Sequence, residues 1–220
     1  VTDIQIFEPE GRAIPYAVEG EGPAVVLIAG QGLTIAYLGT LAHSVAEEDF
    51  RVVRIGSRRP SSDADTTVTM NDLARDVVDV MDSLSVDHAW VGGHGFGGAV
   101  ARVVALDHHD RVNGVLLMGV ATAATDAVDL SEVAAAFHDA DVLALQRSAW
   151  EGPGELAPTV PVLVIQGAED RITPPENGEA LREAAPGLVS VVTIDGAGHL
   201  FPATHMGATS WAIEDYLDWD

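Results

Sequence analysis

The sequence predicts an α/β fold: a mostly parallel sheet with helices on both faces. Three observations predict it. Short apolar runs recur along the chain and alternate with helical stretches, the pattern of a parallel sheet joined by helical crossovers. Several runs are apolar at every position, as strands buried on both faces require. The chain has 220 residues, 47% of them hydrophobic and 20% charged, which suits one domain, 1–220, with a sizeable core.

The elements follow in order. Ile4 to Phe7 and Ala13 to Val18 partly alternate apolar and polar residues around Glu10-Gly11-Arg12, which predicts an antiparallel hairpin. Pro23 to Ile28 reads as a strand buried on both faces. It runs into the loop Ala29-Gly30-Gln31-Gly32 and then a helix from Thr34 to Ala46. Arg51 to Ile55 is the next strand. Thr69-Met70-Asn71-Asp72 has the layout of a capping box, with Asp in place of the longer Glu. The helix behind it carries Leu73, Val77, Val80, Met81 and Leu84 on one stripe, and Asp72, Asp79 and Asp82 are expected on the solvated face. His88 to Val91 is a strand, Gly97 to Leu106 a small-residue helix, and Val112 to Met118 another strand. Pro161 to Ile165 and Val189 to Ile194 complete the sheet, with helices near Glu176 to Ala185 and Met206 to Leu217. Right-handed crossovers place the loops that follow the parallel strands on one edge, where ligands bind. One stretch, 121–159, breaks the alternation. It is Ala-rich and acidic, has room for a few small helices, starts one near Ser131-Glu132-Val133 and breaks at Glu151-Gly152-Pro153-Gly154.

Composition excludes several functions. There are 34 acidic residues against 11 basic ones, all Arg, for a formal charge of −23. Such a chain repels phosphate backbones and anionic membranes, so no nucleic-acid or membrane partner is expected. The acidity reads as a solvated surface. With no Cys there is no disulfide, thiol nucleophile or thiolate metal site. The first residues, Val-Thr-Asp-Ile-Gln-Ile-Phe, lack the layout of a signal peptide, and no apolar run reaches the length of a membrane span. A cytoplasmic protein of unassigned oligomeric state is expected, with a small-molecule ligand or substrate and no cofactor or metal.

Against this background Gly93-His94-Gly95-Phe96-Gly97-Gly98 stands out, between an apolar strand and a small-residue helix. It resembles the nucleophile elbow of the α/β-hydrolase family, Gly-x-Ser-x-Gly, at every position except the centre, where Gly95 replaces the nucleophile. Val160 to Pro174 is similar to the family's strand and loop for the triad acid, with Asp170 at the acid's position. Asp195-Gly196-Ala197-Gly198-His199 is similar to the loop of the triad His, with His199 at that position. The order elbow, acid, His is the family's order. Leu106 to Val112 loosely resembles the family's junction between elbow helix and next strand, and Ala29-Gly30-Gln31 resembles the loop that supplies one oxyanion amide.

The resemblance implies an α/β-hydrolase fold with a reduced lid at 121–159. It implies His199 as base, Asp170 as the acid that fixes its tautomer, and Phe96 and Gln31, beside Gly30, as oxyanion donors. Gly95 supplies no attacking atom, so covalent acyl transfer through that position is excluded. A nucleophile at an elbow holds a strained backbone that Gly adopts freely. The implied function is general-base chemistry by a His-Asp dyad on a small organic substrate. The alternative is a non-catalytic ligand-binding or interaction protein, similar in its absent nucleophile to the N-myc downstream-regulated members of the superfamily.

The remaining features have structural readings. His94 is expected to pack, and His108-His109 to lie at the surface. Arg54, Arg58 and Arg59 are expected either to pair with acids or to meet an anionic ligand. Trp150, Trp211 and Trp219 are expected in packing or in the lid. The glycine run fits a dinucleotide fingerprint badly.

Overall fold

A computed structural model describes residues 2–60, 67–124 and 135–218. Its frame is an eight-stranded sheet in the order β1-β2-β4-β3-β5-β6-β7-β8. The strands are β1 Gln5–Phe7, β2 Ile14–Glu19, β3 Ala24–Ile28, β4 Arg51–Ile55, β5 Ala89–Gly95, β6 Val112–Val120, β7 Val162–Gly167 and β8 Val189–Ile194. The first two pair antiparallel, as the hairpin reading predicts, and β2 is antiparallel to β4. All later pairings are parallel. Helices α1 Gly39–Glu47, α2 Met70–Ser83, α3 Phe96–Asp107, α4 Ala140–Ala149, α5 Pro175–Ala184, α6 Phe201–Thr204 and α7 Met206–Leu217 join or cover them.

The uniformly apolar strands follow from the two layers of helix. In β3, Val26 and Ile28 enter the core under α2 and α3, while Val25 and Leu27 enter the core under α1 and α7. A polar residue at any of the four positions would face a dry interior. The stripe of α2 enters the first of these cores through Leu73, Val77, Val80 and Met81, with Leu84 half-buried beside it. Its capping box closes in both directions: Thr69 Oγ1 accepts from Asp72 N at 3.1 Å, and Asp72 Oδ2 accepts from Thr69 N at 3.0 Å. The shorter acid is long enough.

Several expectations need correction. The helix predicted from Thr34 is a 3-10 turn over Ile35–Leu38 followed by α1. Arg54 Nη1 donates to the carbonyl of Ile35 at 3.0 Å, and the amide of Gly39 bonds to Ala36 instead. Strand β5 runs on to Gly95, because β3 pairs with Gly92 and Gly93 and β6 pairs with the run through Gly95. The acids of α2 are not simply solvated. Asp79 accepts from Arg12 at 2.8 Å and Asp82 from Arg111 at 2.7 Å. Asp76, which the stripe reading passes over, is buried and accepts from Arg12 at 2.6 Å and from Arg58 at 2.7 and 2.8 Å. Arg59 pairs with Asp139 at 3.2 Å. Arg58 and Arg59 thus meet acids, and Arg54 meets the Ile35 carbonyl.

Within 121–159 the described part contains a 3-10 turn at Ala135–Phe137 and α4. Asp139 caps α4, its Oδ1 accepting from Asp141 N at 3.1 Å and Val142 N at 3.2 Å. The helix start read at Ser131-Glu132-Val133 lies outside the described residues, as does Trp219. Trp150 packs against Phe96, with ring centroids 6.1 Å apart. Trp211 is 63% exposed on α7 rather than packed, because it sits on the outer face of that helix.

Candidate active site

The elbow is built by close approach. A Cβ on Gly93 would lie 2.1 Å from the carbonyl carbon of Gly97, and one on Gly97 would lie 2.3 Å from the carbonyl oxygen of Ile28. Side chains at either position would push α3 off the sheet, so these glycines set how near the start of α3 comes to the ends of β3 and β5. Gly95 differs. It occupies the turn between β5 and α3 with φ +53° and ψ −112°, in the left-handed half of backbone space. A Cβ there would meet only the ring of His199, at 3.6 Å from Cε1 and 3.7 Å from Nε2, which is ordinary van der Waals distance. The position has room for a side chain pointing at His199; the sequence supplies none.

His199 lies in the loop after β8 and is 7% exposed. Its Nδ1 is 3.0 Å from Oδ2 of Asp170, in the loop after β7. Asp170 is fully engaged. Oδ1 accepts from the amides of Ile172 and Thr173, both at 2.9 Å. Oδ2 accepts from Thr173 Oγ1 at 2.7 Å and from His199 Nδ1. Burial works to raise the carboxyl pKa, but the hydrogen bond and charge of His199, together with the bonds from Thr173, outweigh it and hold the pKa below its ordinary value. The carboxylate therefore keeps the proton of neutral His199 on Nδ1 and leaves the Nε2 lone pair facing Gly95. Thr173 also lies 3.1 Å from His199 Nδ1 and so touches both partners. Sequence reading does not single it out, although an Asp-x-x-Thr spacing in a loop is a recognisable turn signal.

The loop after β3 lies against the elbow. The Gly30 amide donates to Tyr37 Oη at 2.8 Å. This corrects one expectation, because an amide committed to a buried phenol is not an oxyanion donor. Gln31 follows directly and is 7% exposed; Phe96, at the first turn of α3, is 3% exposed. The structure thus brings Gly95, His199 and Asp170 together, with the Gln31 loop beside them. No local sequence pattern marks Gln146 of α4 either. It is buried, its Oε1 accepts from the Gly32 amide at 2.8 Å, and its Nε2 donates to Ser57 at 2.9 Å. Asp139 N donates to Gly32 O and Thr34 N to Phe137 O, both at 2.8 Å. Segment 137–146 thereby holds the loop that carries Gln31.

A cleft of about 990 Å³ opens on the loops after β7 and β8. Asp170, Arg171, Pro174, His199, Leu200 and His205 are among its lining residues, whereas Gly95, Gln31 and Phe96 are not. Among the described residues no group of three His, Asp or Glu side chains is placed to hold a metal ion, and no helix is long and apolar enough to cross a membrane.

The sheet order and the strand-end positions of these residues define the class, and the chain belongs to the α/β-hydrolase superfamily. A family model described as "alpha/beta hydrolase fold" matches residues 49–152, and one described as "TAP-like protein" matches 144–219. The chain is 32% identical over 108 residues to a putative carbamate hydrolase RutD of Variovorax paradoxus (strain S110), covering 47% of this chain and 41% of that protein. It is 28% identical over 117 residues to a zearalenone hydrolase of Bionectria ochroleuca, covering 50% and 44%. The matched segments thus span less than half the length of either relative. Among solved structures, a hydrolase from Pseudomonas aeruginosa PA01 superposes with a TM-score of 0.77 at 20% identity, covering 98% of each chain. A thermophilic esterase from Thermogutta terrifontis superposes with a TM-score of 0.76 at 22% identity, covering 99% of this chain and 97% of that one. At these identities the likeness concerns the fold.

Proposed function

We propose that the protein is a hydrolase-like enzyme that lacks the Ser nucleophile and uses His199 and Asp170 for non-covalent general-base chemistry on a small organic substrate. The observation that carries the reading is His199 Nε2 lying 3.7 Å from where a Cβ on Gly95 would sit, with Nδ1 held by a fully hydrogen-bonded carboxylate. A water molecule beside Gly95 loses a proton to His199 Nε2 as its oxygen adds to a substrate carbonyl. Asp170 stabilises the imidazolium. The developing oxyanion is met by the amides of Phe96 and Gln31, and the proton on Nε2 then passes to the leaving group. The insertion at 121–159, whose described residues 137–146 hold the Gln31 loop, serves as a short lid. The relatives named as carbamate and zearalenone hydrolases support a small organic substrate.

The test is a panel of carbamates and short esters turned over by the wild-type chain and by His199→Ala. The reading expects turnover without a burst of product, and a loss of about 10²–10⁴-fold in the variant, the usual contribution of a general base. Turnover that His199→Ala leaves unchanged overturns it. No turnover across the panel, with a ligand nevertheless bound in the cleft, favours a non-catalytic binding protein instead.

A further inference from the structure

One buried cluster has no part in the chemistry proposed above. His94, between the two glycines at the end of β5, is fully buried. Its Nδ1 lies 2.8 Å from Tyr37 Oη, and its Nε2 lies 2.7 Å from the backbone carbonyl of His199. Tyr37 is itself buried, in the 3-10 turn after the Gln31 loop, and accepts from the amide of Gly30. The contacts have one consistent proton arrangement. The His199 carbonyl only accepts, so Nε2 of His94 carries the proton. Nδ1 is then an acceptor and takes the Tyr37 hydroxyl proton, which leaves the Tyr37 oxygen to accept from Gly30. Burial raises the Tyr37 pKa, so the hydroxyl keeps its proton. Burial, reinforced by the neighbouring His199, pushes the His94 pKa down to about 3, so the ring stays neutral. The fit is tight, since a Cβ on Gly30 would lie 2.8 Å from His94 Nδ1 and 3.0 Å from Tyr37 Oη.

We infer that Tyr37 and His94 form a buried positioning relay that ties the backbone of the Gly30–Gln31 loop to the backbone of the base, His199. Its links run in one direction, from the Gly30 amide to the Tyr37 hydroxyl, the His94 ring and the His199 carbonyl. Neither side chain touches substrate. Together they set the spacing between the loop that binds an oxyanion and the group that moves the proton, across strands β3 and β5. The His94 ring also stacks on the His199 ring, with centroids 4.4 Å apart and planes tilted by 31°. The catalytic consequence rests on the reading of the site given above; the positional consequence does not.

The test separates the two. In the otherwise unchanged protein, nitrogen-15 NMR should find the His94 ring protonated on Nε2, and Tyr37→Phe should leave that tautomer in place while shifting Nδ1. Removing the hydroxyl strands the Gly30 amide in the interior. Tyr37→Phe should therefore speed Gly30 amide exchange at least about 10-fold, about 1.4 kcal/mol of lost local protection, and leave Val26 in the core of β3 unchanged. A general loss of packing would speed both. His94→Gln, whose amide can still donate to the His199 carbonyl, should hold His199 and release the Tyr37 hydroxyl; His94→Asn should do the reverse. In a Gly95→Ser background that hydrolyses esters, Tyr37→Phe should lower kcat about 10-fold or more with KM little changed. A His94 ring protonated on Nδ1, or Gly30 exchange that Tyr37→Phe does not alter, overturns the relay. The expected ring state and exchange with no esterase activity in Gly95→Ser uphold the relay and count against the catalytic reading.

Discussion

Replacing Gly95 by Ser tests the site most directly, and the structure bounds both its cost and its gain. The cost is backbone strain. At φ +53° a non-Gly residue is held outside its preferred regions, at about 1–3 kcal/mol. No steric penalty adds to this, because the new Cβ meets only His199, at 3.6 and 3.7 Å. Losing the flexibility of Gly in the unfolded chain returns about 0.4–1 kcal/mol. The net loss is then at most about 2.6 kcal/mol, which for a chain of this size lowers Tm by no more than about 10 °C. The gain is a hydroxyl beside the Nε2 lone pair of a base whose other nitrogen is already held by Asp170. Hydrolysis of short p-nitrophenyl esters should rise by about 10² or more over the wild-type chain, and stopped-flow mixing should show a burst of one product per site. Adding His199→Ala should abolish the gain. A Gly95→Ser variant that folds, with Tm inside that window, and shows neither burst nor added turnover refutes the proposed alignment. The dyad and the oxyanion loop would then be misaligned despite their hydrogen bonds.

Three further outcomes are expected. Asp170→Asn should lower any His199-dependent turnover by more than 10²-fold, since the amide cannot accept from Thr173 Oγ1 and His199 Nδ1 as the carboxylate does; steady-state kinetics check it. His94 should make the fold acid-sensitive: its folded pKa of about 3 lies below the unfolded value of about 6.5, so stability is complete above pH ~6.5 and falls as pH drops toward 3. Urea titrations from pH 4 to 6 should show a shallower acid slope for His94→Gln. Gln146→Ala should cost about 1–3 kcal/mol by leaving the Gly32 amide buried without its acceptor, read as a lower urea midpoint.

The fold was legible because its central strands carry continuous apolar runs and its helices carry stripes, both direct consequences of burial. The order of elbow, acid and His was legible for a different reason. Each lies at a strand end, in a run that resembles the α/β-hydrolase family's motif for it. Residues that act across the fold were not legible. Tyr37 meets His94 from 57 positions away and Gln146 meets Gly32 from 114, with no local pattern to mark either bond. Nothing local marks Asp76 either: two arginines, one from the N-terminal hairpin and one from the loop after β4, close on it only in the fold. Nothing in the sequence ties the Gly30 amide, beside the expected oxyanion donors, to the phenol of Tyr37.

These long-range bonds bear on what Gly95 means. A glycine at a strained turn is the substitution that relaxes the backbone most, so by itself it fits a site whose chemistry has lapsed. The groups around it carry costs that glycine does not relieve. Asp170 is a buried carboxylate whose every acceptor position is occupied, and His94 is a buried imidazole whose neutrality lowers stability in acid. Neither burial is needed to fill a core, since apolar side chains of similar volume would do so without desolvating polar groups. An arrangement that keeps such groups, holds His199 beside an open position, and fixes the neighbouring loop from two further elements is what the proposed general-base role of His199 needs. A lapsed site would be expected to shed the buried polar groups first.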